Sequence, residues 1–288
     1  MATLREIRRR IRSVQNTAKI TKAMELVAAS KMRRAQQRAL AGRPYAERLT
    51  WVLADLAETV PQMDPDTLHP LLRRREVKTV GIVHISPNRG LCGGLPGNMN
   101  RRASALALEL GTPWSVVAVG RKGRDYFRRV QVPVIAEFSE LGDYPEYLEV
   151  LPIARVVIDD YLSGGLDQVL VVYPYFVNTM TQEPRVLQLL PIEPPQEPST
   201  HAVDYIYEPG REAVLADLLP RYIEMQIYAA VLEAIASEQS ARMVAMRSAT
   251  DAANDMIQEL TLTYNKARQE QITKDLLDIV GGVEGLSA

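Results

Sequence analysis

Apolar side chains recur at alternating steps of three and four along both ends of this chain. Between those ends the pattern changes to short continuous apolar runs. At the amino-terminal end, Leu4, Ile7, Ile11, Val14 and Ala18 follow steps of 3, 4, 3 and 4, the spacing of a coiled-coil seam. The phase then reads as slipping to Ile20, Met24 and Val27, a change that alters the local winding of such a pair. Thr3 with Glu6 three residues on has the form of a capping box. Helix is predicted from about residue 3 to residue 58, interrupted by one Gly and one Pro, at Gly42 and Pro44. At 1.5 Å per residue that helix would be roughly 80 Å long.

The carboxy-terminal pattern is longer. From Leu218 through Tyr222, Met225, Ala229, Leu232, Ala236, Gln239, Met243, Met246, Thr250, Ala253, Ile257, Leu260 and Tyr264 to Ala267, steps of 4 and 3 alternate without a break. Three or four heptads suffice to identify a coiled coil, and this run exceeds them. Pro220 is its only proline, and no glycine falls between 211 and Gly281. A helix over this span would be about 100 Å long. One amphipathic helix leaves its seam bare, so the amino-terminal segment is the natural antiparallel mate.

The middle changes period. Strands are predicted at Val77–Ser86, Trp114–Val119, Val132–Ala136 and Gln168–Tyr175, with helices at Arg101–Leu110, Arg121–Arg129 and Tyr147–Leu162 between them. Strand and helix in alternation imply a parallel sheet with helices on both faces. Arg185–Leu190 and Val203–Tyr207 are further strand candidates, and the four prolines between Pro191 and Thr200 mark a loop. The fold class is therefore α/β: a long antiparallel two-helix coiled coil with a Rossmann-like α/β domain inserted. The divisions fall at residues 1–60, 76–209 and 210–288.

Composition sharpens this picture at two points. Only 6% of the 288 residues are aromatic, lean for a chain made entirely of compact cores. The net charge of -1 conceals an asymmetry: residues 1–48 hold thirteen basic residues against Glu6, Glu25 and Glu47, an excess of ten. Such an arm seeks an acidic partner, whether nucleic acid, anionic lipid or acidic protein; the plainer reading is a solvated helix face. Cys92 is the only cysteine, so no intrachain disulfide forms. No signal-peptide pattern and no apolar run near 20 residues is present, so no direct membrane span is expected.

Candidate catalytic chemistry is sparse. His69, His84 and His201 are scattered without metal-ligand spacing, and His84 reads as a satisfied interior residue. The turn Arg89-Gly90-Leu91-Cys92-Gly93-Gly94-Leu95 follows the first strand, where doubly wound folds hold phosphates. Its spacing is not that of a dinucleotide fingerprint. No acidic residue stands where a ribose contact would need one, and the plainer reading is that the glycines permit a tight turn and let Cys92 pack as a small hydrophobe. Two function classes follow from these features alone: an α/β nucleotide-binding enzyme, and a coiled coil that grips nucleic acid with its basic arm. The basic segment offers no aromatic stacking platform for the latter.

Several segments carry a more specific signal. Ile20–Met32 (ITKAMELVAASKM), Arg89–Leu95 (RGLCGGL), Tyr205–Pro209 (YIYEP), Ser240–Thr250 (SARMVAMRSAT) and Tyr264–Arg268 (YNKAR) occur in this order along the chain. Together they resemble the gamma subunits of F-type rotary ATP synthases, of the bacterial kind. The chain departs from that family in having Asp275 and Asp278 where Glu is usual, and Pro87 in the turn before Arg89. A single cysteine excludes the redox-regulated insert of the chloroplast form, and no transit peptide is visible.

The resemblance implies a central-stalk rotor shaft, non-catalytic and present in one copy. It couples proton-driven c-ring rotation to ATP synthesis or hydrolysis on the beta subunits, with no cofactor and no metal of its own. Its implied partners are three alpha and three beta subunits around the coiled coil, and the c-ring and epsilon subunit at the base; nucleic acid is not among them. The implied location is the cytoplasmic face of the bacterial plasma membrane, peripherally bound. Arg8, Arg9, Lys22, Met24, Arg33, Arg34, Arg242, Arg268, Gln269 and Thr273 are implied contacts to the alpha/beta ring. Tyr205, Tyr207 and Glu208 are implied contacts to the c-ring or epsilon. The apolar end at Leu276, Leu277, Ile279 and Val280 suits a greasy bearing.

Overall fold

The computed structural model describes residues 3–57, 69–193, 207–208 and 210–287. The chain packs as two compact units, one joining Met1–Val27 to Met243–Ala288 and the other spanning Ala28–Arg242. Two helices contribute to both: α1 (Leu4–Ala57) and α5 (Arg211–Ser287).

In the first unit the two helices run antiparallel. Arg8 donates to the Tyr264 hydroxyl at 3.0 Å, and the Thr21 and Thr250 hydroxyls meet at 2.7 Å. Partners thus recede along α5 as they advance along α1. The capping box forms as its residues predict: the Thr3 N–H donates to Glu6 Oε2 at 2.8 Å and the Glu6 N–H to Thr3 Oγ1 at 3.3 Å. These bonds hold the Glu6 carboxyl below its usual pKa.

The expected phase slip on α1 does not occur. Thr21 and Ala28 are buried, whereas Ile20 and Val27 are 61% and 54% exposed. The buried stripe keeps its alternating step through Ile7, Ala18 and Thr21, and resumes in the second unit at Ala28, Met32 and Ala35. Each threonine hydroxyl also lies within hydrogen-bond reach of a carbonyl of its own helix, Ala18 for Thr21 at 3.1 Å and Met246 for Thr250 at 2.9 Å, so one of the two donates to its carbonyl while the other donates across the pair. Compact and hydrogen-bonded to each other, the two threonines fill a buried layer of the seam. The α5 seam from Met246 through Thr250 to Ala253 is buried at the predicted positions.

The second unit is a five-stranded sheet in the order β3-β2-β1-β4-β5. Its strands are β1 (Val80–Ile85), β2 (Trp114–Val119), β3 (Val134–Phe138), β4 (Gln168–Phe176) and β5 (Gln182–Leu190). The helices α2 (Leu95–Leu110), α3 (Arg121–Arg129) and α4 (Tyr147–Leu162) connect them. The first four strands are parallel, while β5 runs antiparallel to β4. Five residues join that last pair, far too few for a crossover, so a hairpin is the only solution. Asn178 closes it by accepting the N–H groups of Met180 and Thr181 at 2.8 and 2.9 Å. Helix α2 begins six residues before its predicted start, because Gly94 caps it and Pro96 suits its first turn. The candidate strand at 203–207 lies outside the described residues for its first four positions; Tyr207 belongs to no strand.

Alternation along the strands divides the core in two. Val80 and Ile82 face Met99, Ala103 and Phe127 of α2 and α3. Val83 and Ile85 face Ile153 and Val157 of α4, together with Leu215, Leu219, Ile223 and Ile227 of α5. A stretch of the long carboxy-terminal helix is therefore itself one cover of the sheet. Helix α1 passes through Gly42 and Pro44 without ending. An interior proline costs about 3 kcal/mol and a glycine about 1. Leu49 and Leu53, buried in the same core beyond the proline, each contribute about 1.5–3 kcal/mol and hold the helix on course.

Candidate partner-contact surfaces

The crevice beyond the carboxyl ends of the parallel strands is where an open α/β sheet holds a ligand. Here it is a cavity of about 410 Å³, lined by Ser86, Asn88, Arg89, Arg121, Glu140, Asp143, Glu238 and Gln239 among others. A phosphate site would use the free N–H groups at the start of α3. Those groups are already taken: Arg121 N–H bonds Asn88 Oδ1 at 3.0 Å, Lys122 N–H the Pro87 carbonyl at 3.1 Å, and Gly123 N–H Ser86 Oγ at 2.8 Å. Gly120, at φ +99°, brings the strand end so close to the Ser86 carbonyl that any Cβ would collide with it. Three carboxylates around the cavity oppose an anion further.

The turn after β1 is structural in the same sense. Cys92 is buried against Leu95 and Ala241. Burial, reinforced by Glu238, pushes its thiol up to about 11, far from a thiolate nucleophile at neutral pH. Arg242 reaches this turn from α5, donating to the Gly90 carbonyl at 3.3 Å and pairing with Glu238 at 2.6 Å. Desolvation raises the Glu238 carboxyl, an effect that Arg242 opposes.

His84 is interior but not satisfied. Its ring lies edge-on to Phe127 at 4.9 Å, and neither ring nitrogen finds a hydrogen-bond partner among the described residues. The Met99 backbone lies near enough to favour the charged form slightly. Burial dominates and lowers the imidazole pKa to about 4. Among the described residues no cluster of His, Cys, Asp and Glu is built to hold a metal.

What remains are outward-facing surfaces. In the first unit Arg8, Arg9 and Lys22 are exposed and Met24 is half-buried. Lys22 pairs with Glu25 at 2.9 Å, and Arg8 lies 5.6 Å from the Tyr264 ring centre. Arg268, Gln269 and Thr273 are exposed on α5. Beside them the unit displays bare apolar side chains: Ile20, Leu26 and Val27 on α1, and Met256, Leu262, Ile272, Leu276, Leu277 and Ile279 on α5. Exposed apolar groups in such number mark a surface that another protein covers.

In the second unit Arg33 and Arg34 are exposed, whereas Arg242 is turned inward to the pairing just described. Tyr207 is half-buried against the main core with the Arg211 guanidinium 5.2 Å from its ring centre, and Glu208 is exposed. Tyr205 lies outside the described residues. Sequence reasoning missed the gathering of Arg34 and Arg38 over Tyr144, their guanidinium carbons 5.9 and 5.2 Å from its ring centre. Tyr144 approaches α1 from a loop more than a hundred residues away, and no local spacing announces that meeting.

Comparison with known proteins fits surfaces of this kind. Residues 3–286 match the family described as ATP synthase. The ATP synthase gamma chain of Dehalococcoides mccartyi strain CBDB1 is 57% identical over 287 residues, covering 100% of both chains. That of Roseiflexus castenholzii is 52% identical over 290 residues, covering 100% of this chain and 99% of its own. Among solved structures, a central stalk and c-ring chain of Tetrahymena thermophila mitochondrial ATP synthase aligns with a TM-score of 0.62 at 26% identity, over 80% of this chain and 99% of that one. A chain of Euglena gracilis mitochondrial ATP synthase aligns at 0.68 and 21% identity, over 98% of this chain and 94% of its own, a likeness of fold.

Proposed function

This chain belongs to the ATP synthase gamma-chain family, and from that premise we propose that it is the rotating central stalk of a bacterial enzyme. The observation that carries the reading is the first unit: two antiparallel helices clothed in exposed cations and bare apolar side chains. Such a surface does its work only when enclosed. Enclosed by three alpha and three beta subunits, it meets each beta subunit differently, because α1 and α5 present different side chains around the axis. Differential contact is what biases otherwise identical sites into different conformations.

Nucleotide chemistry then belongs to the beta subunits, and this chain transmits torque. The continuous stripe on α1 removes a phase slip as a source of asymmetry; the unequal helices supply it. Arg8, Arg9, Lys22, Met24, Arg33 and Arg34 on α1, with Arg268, Gln269 and Thr273 on α5, are the proposed contacts to the alpha/beta ring. Arg242 supports the turn at Gly90 and acts on the ring through it. Tyr205, Tyr207 and Glu208 are proposed to meet the c-ring or the epsilon subunit at the base. No helix among the described residues is long and apolar enough to cross a membrane. Attachment to the cytoplasmic face of the plasma membrane would therefore run through the c-ring.

Purification through a tag on this chain is the test. Recovery of alpha and beta subunits, each in threefold excess over the tagged chain, is the expected result. Recovery of a homo-oligomer, or of equal amounts of all three, would remove the rotor assignment.

A further inference from the structure

A cavity of about 210 Å³ lies in the second unit where α1, α5 and the strands β4 and β5 meet. Three aromatic rings line it, Tyr173 and Tyr175 from β4 and Tyr228 from α5, with the Met225 thioether beside them. The α1 side is built from small residues at steps of three and four, Ala39, Gly42 and Ala46. A Cβ added at Gly42 would meet no atom within 4 Å. Glycine weakens a helix relative to alanine, so this bare position keeps space open at a local cost. One charge faces the space. Glu233 of α5 accepts the Phe176 N–H at 3.2 Å through Oε2, and it forms no ion pair among the described residues. Arg185 is exposed and is not among the lining residues; its guanidinium carbon lies 3.2 Å from the Tyr175 ring centre. A cation therefore already rests on one of these rings.

We propose that this cavity binds a small quaternary ammonium ion, free in solution and of about choline's size, with the three tyrosine rings as its cage and Glu233 as its counter-charge. Ring faces attract such an ion, and its methyl groups bury against Met225 and the α1 alanines. A cavity of roughly 150 Å³ holds a benzene ring, so this one has room for the trimethylammonium head and a short arm. Other ligand classes fit worse. A single carboxylate falls short of the oxygen shell that a divalent cation needs. An anion would meet Glu233 at close range, and a neutral apolar molecule would strip water from that carboxylate without replacing it by a charge. The occupant would touch α1, α5 and β4 at once and so brace them against one another. This site lies apart from the proposed partner contacts, and its chemistry does not depend on the rotor assignment.

The test is an NMR titration of the full chain with isotope-labelled methionine methyls, the Met225 signal being identified by its loss in Met225→Leu. The probes are choline and its neutral isostere, the alcohol with a tert-butyl group in place of trimethylammonium. The Met225 signal should move saturably with choline, with an affinity about tenfold above that for the alcohol. Glu233→Gln keeps an acceptor for the Phe176 N–H and should remove most of that preference. Gly42→Leu fills the cavity with a better helix former and should abolish the choline shift, while its other methionine signals report that the fold is kept. A Met225 signal indifferent to choline would overturn the proposal, as would equal affinities for choline and the alcohol. So would a preference unchanged by Glu233→Gln, or a choline shift that survives Gly42→Leu.

Discussion

His84 offers a prediction whose size follows from its surroundings. The side chain is fully buried beside Phe127, with both ring nitrogens unpaired among the described residues. Its pKa falls to about 4, against roughly 6.5 in the unfolded chain. Between those values the unfolded state binds a proton that the native state refuses. The unfolded state is therefore favoured as pH falls, and stability rises with pH across the same window. From about pH 7.5 to about pH 5 this one group removes roughly 2 kcal/mol, approaching roughly 3 kcal/mol near pH 4. Glu238 works the other way, since its raised carboxyl takes up a proton more readily in the folded state as pH falls. The difference between native and His84→Leu chains isolates the imidazole. At about pH 7.5 the substitution trades an edge-on aromatic contact for relief of two unpaired nitrogens, leaving stability within about 1.5 kcal/mol. Urea unfolding of the full chain at both pH values is the assay. The variant should lose roughly 2 kcal/mol less on acidification; equal losses would mean that His84 is solvated or paired and that this face of the sheet is described wrongly.

Three further outcomes follow from the packing. Thr21→Val should destabilise the helical unit by about 1 kcal/mol, and Thr21→Val combined with Thr250→Val by less than the sum of the two single changes, because each single change already removes the bond the two hydroxyls share; additive losses in unfolding would contradict the pair. Ala236→Pro, at a buried mid-helix position of α5, should cost about 3 kcal/mol or more and abolish coupled ATP synthesis in assembled complexes; normal coupling would refute a continuous helix there. Tyr207→Cys should form a disulfide with a cysteine in a c-ring loop, with rotation-coupled hydrolysis blocked until reduction; absence of any such link in intact complex removes that residue from the base.

Much of this architecture was legible in the residues. Strand β2 and helices α3 and α4 lie where their patterns put them, because each is bounded by Gly or Pro and has a single period. The α5 seam from Met246 to Ala253 was readable for the same reason. The α1 seam was not. Ile20 and Val27 stand seven apart and look like seam residues, yet Thr21 and Ala28 hold those places. Hydrophobicity alone ranks isoleucine above threonine; the hydrogen bond with the Thr250 hydroxyl reverses the order. The exposed isoleucine and valine then become part of the contact surface. The hairpin direction of β5 followed from a connection of five residues, which a strand-by-strand reading does not weigh. Tyr144 under Arg34 and Arg38, and Arg242 at the Gly90 carbonyl, are long-range meetings that no local spacing encodes.

The central claim is that this chain turns within a ring that hydrolyses or makes ATP. Leu108 on α2 is 83% exposed, and Cys92 is buried with its thiol raised to about 11. Leu108→Cys therefore supplies one reactive attachment point for a fluorescent or gold probe. With the alpha/beta ring fixed to a surface, added ATP should drive the probe around in one direction, in steps that stop when ATP is exhausted. Sustained ATP hydrolysis with the probe stationary would contradict the account.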